Sequence, residues 1–298
     1  MELAPLKLKE TLHPHKEYEA KYNELVGIDQ HKEDLLTTLL LFFEKDAIDK
    51  WKKRHHAKGI TFVDKVLHKS PLILLSGEVG CGKTALANSI ATPLAKKLDA
   101  QVRSFETPSD IRGGGHVGEL SARITLAFHQ VKAQQNGKPA IFVIDEADDL
   151  ATSRDQMQAH HEDRAGVNVL IKEIDALEKD KANIAVIIIT NRFTSIDPAV
   201  IRRASLQLKF ERPNSDSIRE VFKNILNGVK YEDATLDKLV KVCTDKKIPF
   251  SYSDLTNRIG RQAVMRAFSQ DQPFGVEILK EIAKETEPSP LIIDTKVQ

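Results

Sequence analysis

No stretch of this sequence is apolar for long enough to cross a bilayer. The longest runs, such as Ile184 to Ile189, fall far short of the roughly 20 residues that a spanning helix needs, and they read as buried strands. A leader peptide is not expected either. The opening MELAPLKLKETLHPHKEYEA is polar and has no hydrophobic core, so a cytoplasmic protein with no membrane partner is expected. Two cysteines, Cys81 and Cys243, are too few for a disulfide framework and suit a reducing compartment. Excess charge of either sign is missing: 44 Lys and Arg face 43 Asp and Glu, for a formal net charge of +1. A protein that coats nucleic acid carries a clear basic excess, so nucleic acid is not the expected partner. Internal repeats and low-complexity segments are absent too. What remains is a chain of 298 residues, 41% hydrophobic and 29% charged, which suits a buried core and not disorder. The length allows one large domain, or a core domain with a small satellite.

Residues 1–22 are charged and carry Pro5 and Pro14, and they read as an arm or linker. From Gln30 to about His56 the apolar positions Leu35, Leu36, Leu39, Leu40 and Phe43 fall on one helical face. Short apolar runs then alternate with helical stretches: Leu72–Leu75, Val102–Phe105, Ile141–Ile144 and Ile184–Ile189, with a further run at Leu206–Phe210. That alternation predicts a five-stranded parallel sheet covered by helices on both faces, an α/β domain over 23–212. Beyond Pro213 the pattern is helical and predicts a small helical domain over 213–286. The tail, 287–298, reads as an edge strand or a docking tail.

Gly77-Glu78-Val79-Gly80-Cys81-Gly82-Lys83-Thr84 has the spacing G-x-x-x-x-G-K-[ST] and lies between a predicted strand and a predicted helix, Ala85–Lys97. Glycines let successive backbone N–H groups curl around phosphate oxygens, and the helix N-terminus adds the positive end of its dipole. Lys83 is placed to reach the β- and γ-phosphates of ATP and Thr84 to hold Mg²⁺. Cys81, inside the loop, is a tolerated side chain or a redox switch. The run Ile141-Phe142-Val143-Ile144 ends in Asp145-Glu146. The first acid is assigned to Mg²⁺ and the second to activating water for in-line attack. A second buried run ends in Thr190-Asn191, which puts Asn191 at the carboxyl edge of the sheet, where it can orient that water. Two bland features stand beside these. The basic run Lys50–His56 is a solvated helix end or a nucleic-acid patch. Trp51 is expected to pack on the core.

In this order the motifs resemble the AAA family within the AAA+ ATPases, over about Tyr22 to Lys284. Leu25-Val26-Gly27 resembles the motif whose backbone cradles adenine, so the resemblance implies ATP contacts from Val26, Gly27, Gly77, Glu78, Val79, Gly80, Cys81, Gly82, Lys83, Thr84 and Ala85. His116-Val117-Gly118-Glu119 resembles the first pore loop, with His116 where the family carries an aromatic residue. Phe250-Ser251-Tyr252-Ser253-Asp254-Leu255 resembles a segment of the family's helical lid. Ile196–Arg203 resembles the segment that carries arginine fingers. Its local sequence is similar to that of the pachytene checkpoint ATPases, where a single finger maps onto Arg203, and Arg203 and Arg202 are joint candidates. A finger neutralises charge developing on the transferred phosphoryl group. Supplied in trans it makes hydrolysis depend on a closed ring, and the resemblance implies a homo-oligomer, a hexamer.

Three jobs suit such a motor: remodelling a protein through the pore, loading nucleic acid or helping transposition, and acting as an ATP-assembled switch. The pore-loop match and the near-neutral charge favour the first. The resemblance to bacterial relatives of the pachytene checkpoint ATPases implies a HORMA-domain protein as substrate and partner, in the control of antiphage signalling.

Overall fold

The computed structural model describes residues 5–44, 46–56, 59–66, 70–108, 111, 118–147 and 161–291. The chain opens with strand β1 (Lys9–His13) and helices α1 (Lys16–Glu24), α2 (Asp29–Phe43), α3 (Ala47–His55) and α4 (Thr61–Val66). There follow β2 (Leu72–Gly77), α5 (Lys83–Ser89), α6 (Ala91–Leu98), β3 (Val102–Glu106), α7 (Glu119–Gln134), β4 (Ala140–Ile144), α8 (His161–Lys179) and β5 (Ile184–Thr190). A short helix α9 (Pro198–Ile201) leads into β6 (Ala204–Phe210). The remainder is helical: α10 (Ser215–Ile225), α11 (Asp233–Thr244), a π-helical segment (Asp254–Gly260), α12 (Arg261–Ser269) and α13 (Val276–Glu285).

The sheet has six strands in the order β1-β3-β4-β5-β2-β6. Five are parallel, as expected. The sixth corrects the expected arm: β1 pairs antiparallel with β3, with Lys9 opposite Glu106 and His13 opposite Val102. Its sequence, KETLH, hid it because an edge strand buries little. Only His13 is buried. The ring of His13 fills a polar slot, with Nδ1 2.8 Å from Thr92 Oγ1 and Nε2 2.9 Å from Ser104 Oγ. Tyr18 of α1 is buried beside it, its ring edge-on to that of His13.

Alternate residues of each central strand face opposite ways. Leu72, Leu74, Phe142, Ile144, Val186 and Ile188 pack with α7 and α8. Ile73, Leu75, Ile141, Val143, Ile187 and Ile189 pack with α2, α5 and α6. Both faces are therefore dry, which is why these strands read as continuous apolar runs. A separate core of Phe222, Leu236, Phe250, Leu255, Ile259 and Leu279 holds the C-terminal helices together.

Three further expectations change. The helix after the phosphate loop breaks at Ile90 into α5 and α6, because Pro93 has no N–H to offer the carbonyl of Ser89. The helix of 30–56 is two helices, α2 and α3. Trp51 does not enter the core: it is 39% exposed and lies against His56, 4.7 Å between ring centroids.

Candidate active site

Strands β4, β5 and β2 are neighbours in the sheet and run the same way. Their carboxyl ends therefore bring Asp145-Glu146, Asn191 and the phosphate loop to one edge, where ligands bind in such sheets. All line one cleft of about 670 Å³, together with Val26, Val79 to Ala85 and lid residues that include Tyr252. Its lining combines apolar side chains, Leu25, Val26, Ile28, Val221 and Ile225, with Lys83, Thr84 and the two acids. Apolar surface beside a few charged groups suits a purine base and its phosphates.

The loop is shaped for close backbone approach. At Gly77, φ is +123° and a Cβ would lie 2.0 Å from the carbonyl oxygen of Phe210, so no side chain is tolerated. The Lys83 ammonium, with the residue only 5% exposed, donates to the carbonyls of Gly77 (2.8 Å) and Glu78 (2.6 Å). A buried cation beside a curl of N–H groups at a helix start is a site for anionic oxygen. The Thr84 hydroxyl donates to Asp145 Oδ2 at 2.8 Å, so the two expected metal ligands are already together. A hydroxyl and a carboxylate at one point are the donors that a hard cation takes. The other carboxylate oxygen, Oδ1, accepts the Glu146 N–H at 2.8 Å. Glu146 has φ +53°, an uncommon conformation for a non-glycine residue and one that clusters at functional sites.

Some expected residues lie elsewhere. Gly27, Gly77 and Glu78 are not among the residues that line the cleft. Gly27 accepts the Tyr252 hydroxyl at 3.0 Å, and a Cβ there would sit 2.8 Å from that oxygen. Glu78 turns its carboxylate away, to Arg212. Cys81 is buried at 1% exposure, and burial pushes its thiol up to about 11, the opposite of what a redox-responsive thiolate requires. His116 and Val117 lie outside the described residues. Gly118 stands at φ +80° at the start of α7.

Arg202 and Arg203 are at the far end of the sheet. Ala204 opens β6 opposite Leu72, whereas the phosphate loop leaves β2 after Gly77, about 17 Å away along the strand. Arg203 is held by a two-pronged ion pair to Asp175 of α8 (2.7 and 3.0 Å) and donates to the carbonyl of Ala199 (2.9 Å). The Asp175 carboxylate raises the pKa of the guanidinium further above its ordinary value. Neither arginine is among the residues that line the cleft of its own chain.

The sequence assigned no site role to two side chains. Tyr252 lines the cleft and bonds Gly27 from 225 residues away, so it ties the lid to the segment before α2. Arg212 bonds the phosphate loop from 134 residues away. Tyr252 lies within the lid segment 250–255, but no local pattern marks its contact or that of Arg212.

Comparison with known proteins gives the family. The family model "ATPase family associated with various cellular activities (AAA)" matches residues 73–213. The CD-NTase-associated protein 6 of Escherichia coli (strain MS 115-1) is 36% identical over 293 residues, covering 94% of each chain. A chain of the solved E. coli MS115-1 HORMA:CdnC:Trip13 complex superposes with a TM-score of 0.88 at 33% identity, over 97% of both chains. The structure of Rhizobiales Trip13 superposes at 0.76 and 28% identity, over 96% of this chain and 99% of that one. No described helix is long and apolar enough to cross a membrane. The chain belongs to the AAA family of ATPases, alongside CD-NTase-associated protein 6, and hydrolyses ATP.

Proposed function

We propose that this chain is the subunit of a homo-oligomeric ring, a hexamer, that spends ATP on partially unfolding a HORMA-domain protein and so regulates antiphage signalling in the cytoplasm. The observation that carries the reading is the near full-length similarity to the Trip13 chain of a complex that also contains HORMA and CdnC proteins. The balanced charge of the chain and the mixed apolar and charged lining of the cleft support it; a nucleic-acid loader gains no comparable support.

In the cleft, Lys83 and the loop N–H groups bind the phosphates, and the Leu25–Ile28 segment with Tyr252 encloses the base. Thr84 and Asp145 would hold Mg²⁺, which would supply charge neutralisation to the phosphates. Glu146 takes a proton from the attacking water, and Asn191 orients that water. Arg203, with Arg202 as the other candidate, enters the cleft of a neighbouring copy and offsets the charge developing on the phosphoryl oxygens. His116, Val117 and Gly118 grip the substrate at the pore.

A trapping experiment tests this. The Glu146→Gln variant should bind ATP without turning it over. When it is purified from the native host with ATP, a HORMA-domain protein should co-purify and be released when ATP is withdrawn. Capture of DNA or a transposase in its place would move the reading to the loader class.

A further inference from the structure

We infer that the segment Glu287–Pro290 is a strap that acts through Arg212 on the phosphate loop and sets how tightly the cleft holds nucleotide. The inference rests on assigning Gly77–Thr84 to phosphate.

Arg212 stands between β6 and α10, where the sheet domain passes into the lid. Its side chain is 5% exposed, and an arginine so placed must satisfy its donors internally. Nε and Nη2 donate to Glu78 Oε2 at 3.3 and 3.2 Å. Nη1 donates to the carbonyls of Pro249 (2.6 Å) and Ser289 (2.8 Å), and Nη2 also to that of Pro290 (2.8 Å). One guanidinium thus joins the phosphate loop, the lid and the strap.

The strap is fastened at a second point. Ser289 donates its N–H to Asp254 Oδ2 (3.1 Å) and its hydroxyl to Oδ1 (2.6 Å). Asp254 also accepts the Ser251 N–H (3.0 Å) and the Arg258 guanidinium (2.7 Å). Burial alone would raise the pKa of the Asp254 carboxyl. The hydrogen bonds from Ser289, Ser251 and Arg258 outweigh burial and hold it well below the usual carboxylate range. The ionised carboxylate is therefore a firm acceptor for the strap.

Glu78 is the link to the chemistry. Its carboxylate holds Arg212, its N–H donates to the Phe210 carbonyl (3.0 Å), and its own carbonyl accepts Lys83 Nζ (2.6 Å). The residue that anchors the strap arginine is the one that anchors the phosphate lysine. Phosphate that draws Lys83 off this carbonyl alters the hold on Glu78, and the hold on Glu78 alters Arg212 and the strap. Such coupling is reciprocal: a strap that responds to nucleotide must itself change nucleotide affinity.

Two measurements test this. Ser289→Asp sets a carboxylate against Asp254 and releases the strap while leaving every cleft residue in place; a chain ending at Thr286 removes the strap. In calorimetry both should bind ADP about tenfold more weakly than the full chain, with KM for ATP raised and the saturated rate within about twofold of it. In the unaltered protein, ADP should slow amide hydrogen exchange in the peptide spanning 286–291. Affinity within about twofold of the full chain in a Ser289→Asp variant of normal melting temperature would overturn the coupling. So would unchanged exchange at the strap while the amides of α5 slow, and that outcome leaves the phosphate site standing. If the α5 amides fail to slow with ADP, the phosphate assignment falls, and the strap's role with it. Should the variants fail to fold, exchange in the unaltered chain decides alone.

Discussion

At the scale of the residue, Lys83 carries the most weight. Its ammonium is buried on two carbonyls at the start of α5, and it supplies the loop's one full positive charge. Hydrogen bonds to charged groups contribute about 1.5–3 kcal/mol. Lys83→Ala should thus weaken ADP binding by roughly 100-fold, read by calorimetry, while the melting temperature without nucleotide stays close to normal. Tight ADP binding by that variant would refute the phosphate assignment. This part of the site was legible in the sequence because its geometry is local: a glycine spacing specifies a backbone curl, and Lys83 and Thr84 follow within the same turn. Asp145, Glu146 and Asn191 were legible for a related reason, since each ends an apolar run and a parallel sheet gathers such ends. Arg212, Tyr252 and the Asp175 partner of Arg203 were not legible, because they act across 134, 225 and 28 residues of chain and nothing next to them in sequence marks the contact.

At the scale of the element, β2, β4 and β5 announced themselves because both of their faces are dry, and β3 and β6 by shorter apolar runs. Strand β1 did not, since it lies at the edge with polar side chains outward. Its anchor is His13, 1% exposed between Thr92 and Ser104. Burial, with a smaller contribution from the nearby charge of His15, lowers its pKa from 6.5 to about 4. Between those values the unfolded chain takes up a proton that the folded one refuses. The stability that His13 contributes is therefore complete above pH 6.5 and is lost as the pH falls from 6.5 towards 4. The full loss is roughly 3 kcal/mol at 1.36 kcal/mol per pKa unit. Urea unfolding at several pH values should show that slope, and His13→Gln should flatten it. An equal slope in the variant would mean that other groups carry the acid sensitivity. The break between α5 and α6 teaches the same lesson from the other side. Pro93 was visible in the sequence, but the apolar periodicity continues across it and favours one helix.

At the scale of the whole molecule, the sheet separates what the site needs. The phosphate loop, both acids and Asn191 gather at the carboxyl end of the parallel strands, and Arg202 and Arg203 stand at the amino end. Among the described residues no arginine lines the cleft, and the proposed finger, about one strand length away, would then act on a neighbouring copy. The order of motifs alone could suggest this arrangement; the register of β6 against β2 gives it a distance.

The central claim, a site completed by a neighbouring copy, is tested most directly by mixing two disabled chains. Glu146→Gln and Arg203→Ala should each bind ATP and each hydrolyse it poorly alone. Combined in equal amounts and allowed to exchange, they should recover roughly a quarter of the normal rate per chain, because random assembly pairs an intact Glu146 with an intact neighbouring arginine at about one interface in four. Arg203→Ala chains that hydrolyse ATP normally by themselves would move the finger to Arg202. If Arg202→Ala and Arg203→Ala are both inactive alone and neither recovers activity when mixed with Glu146→Gln, the shared site is contradicted.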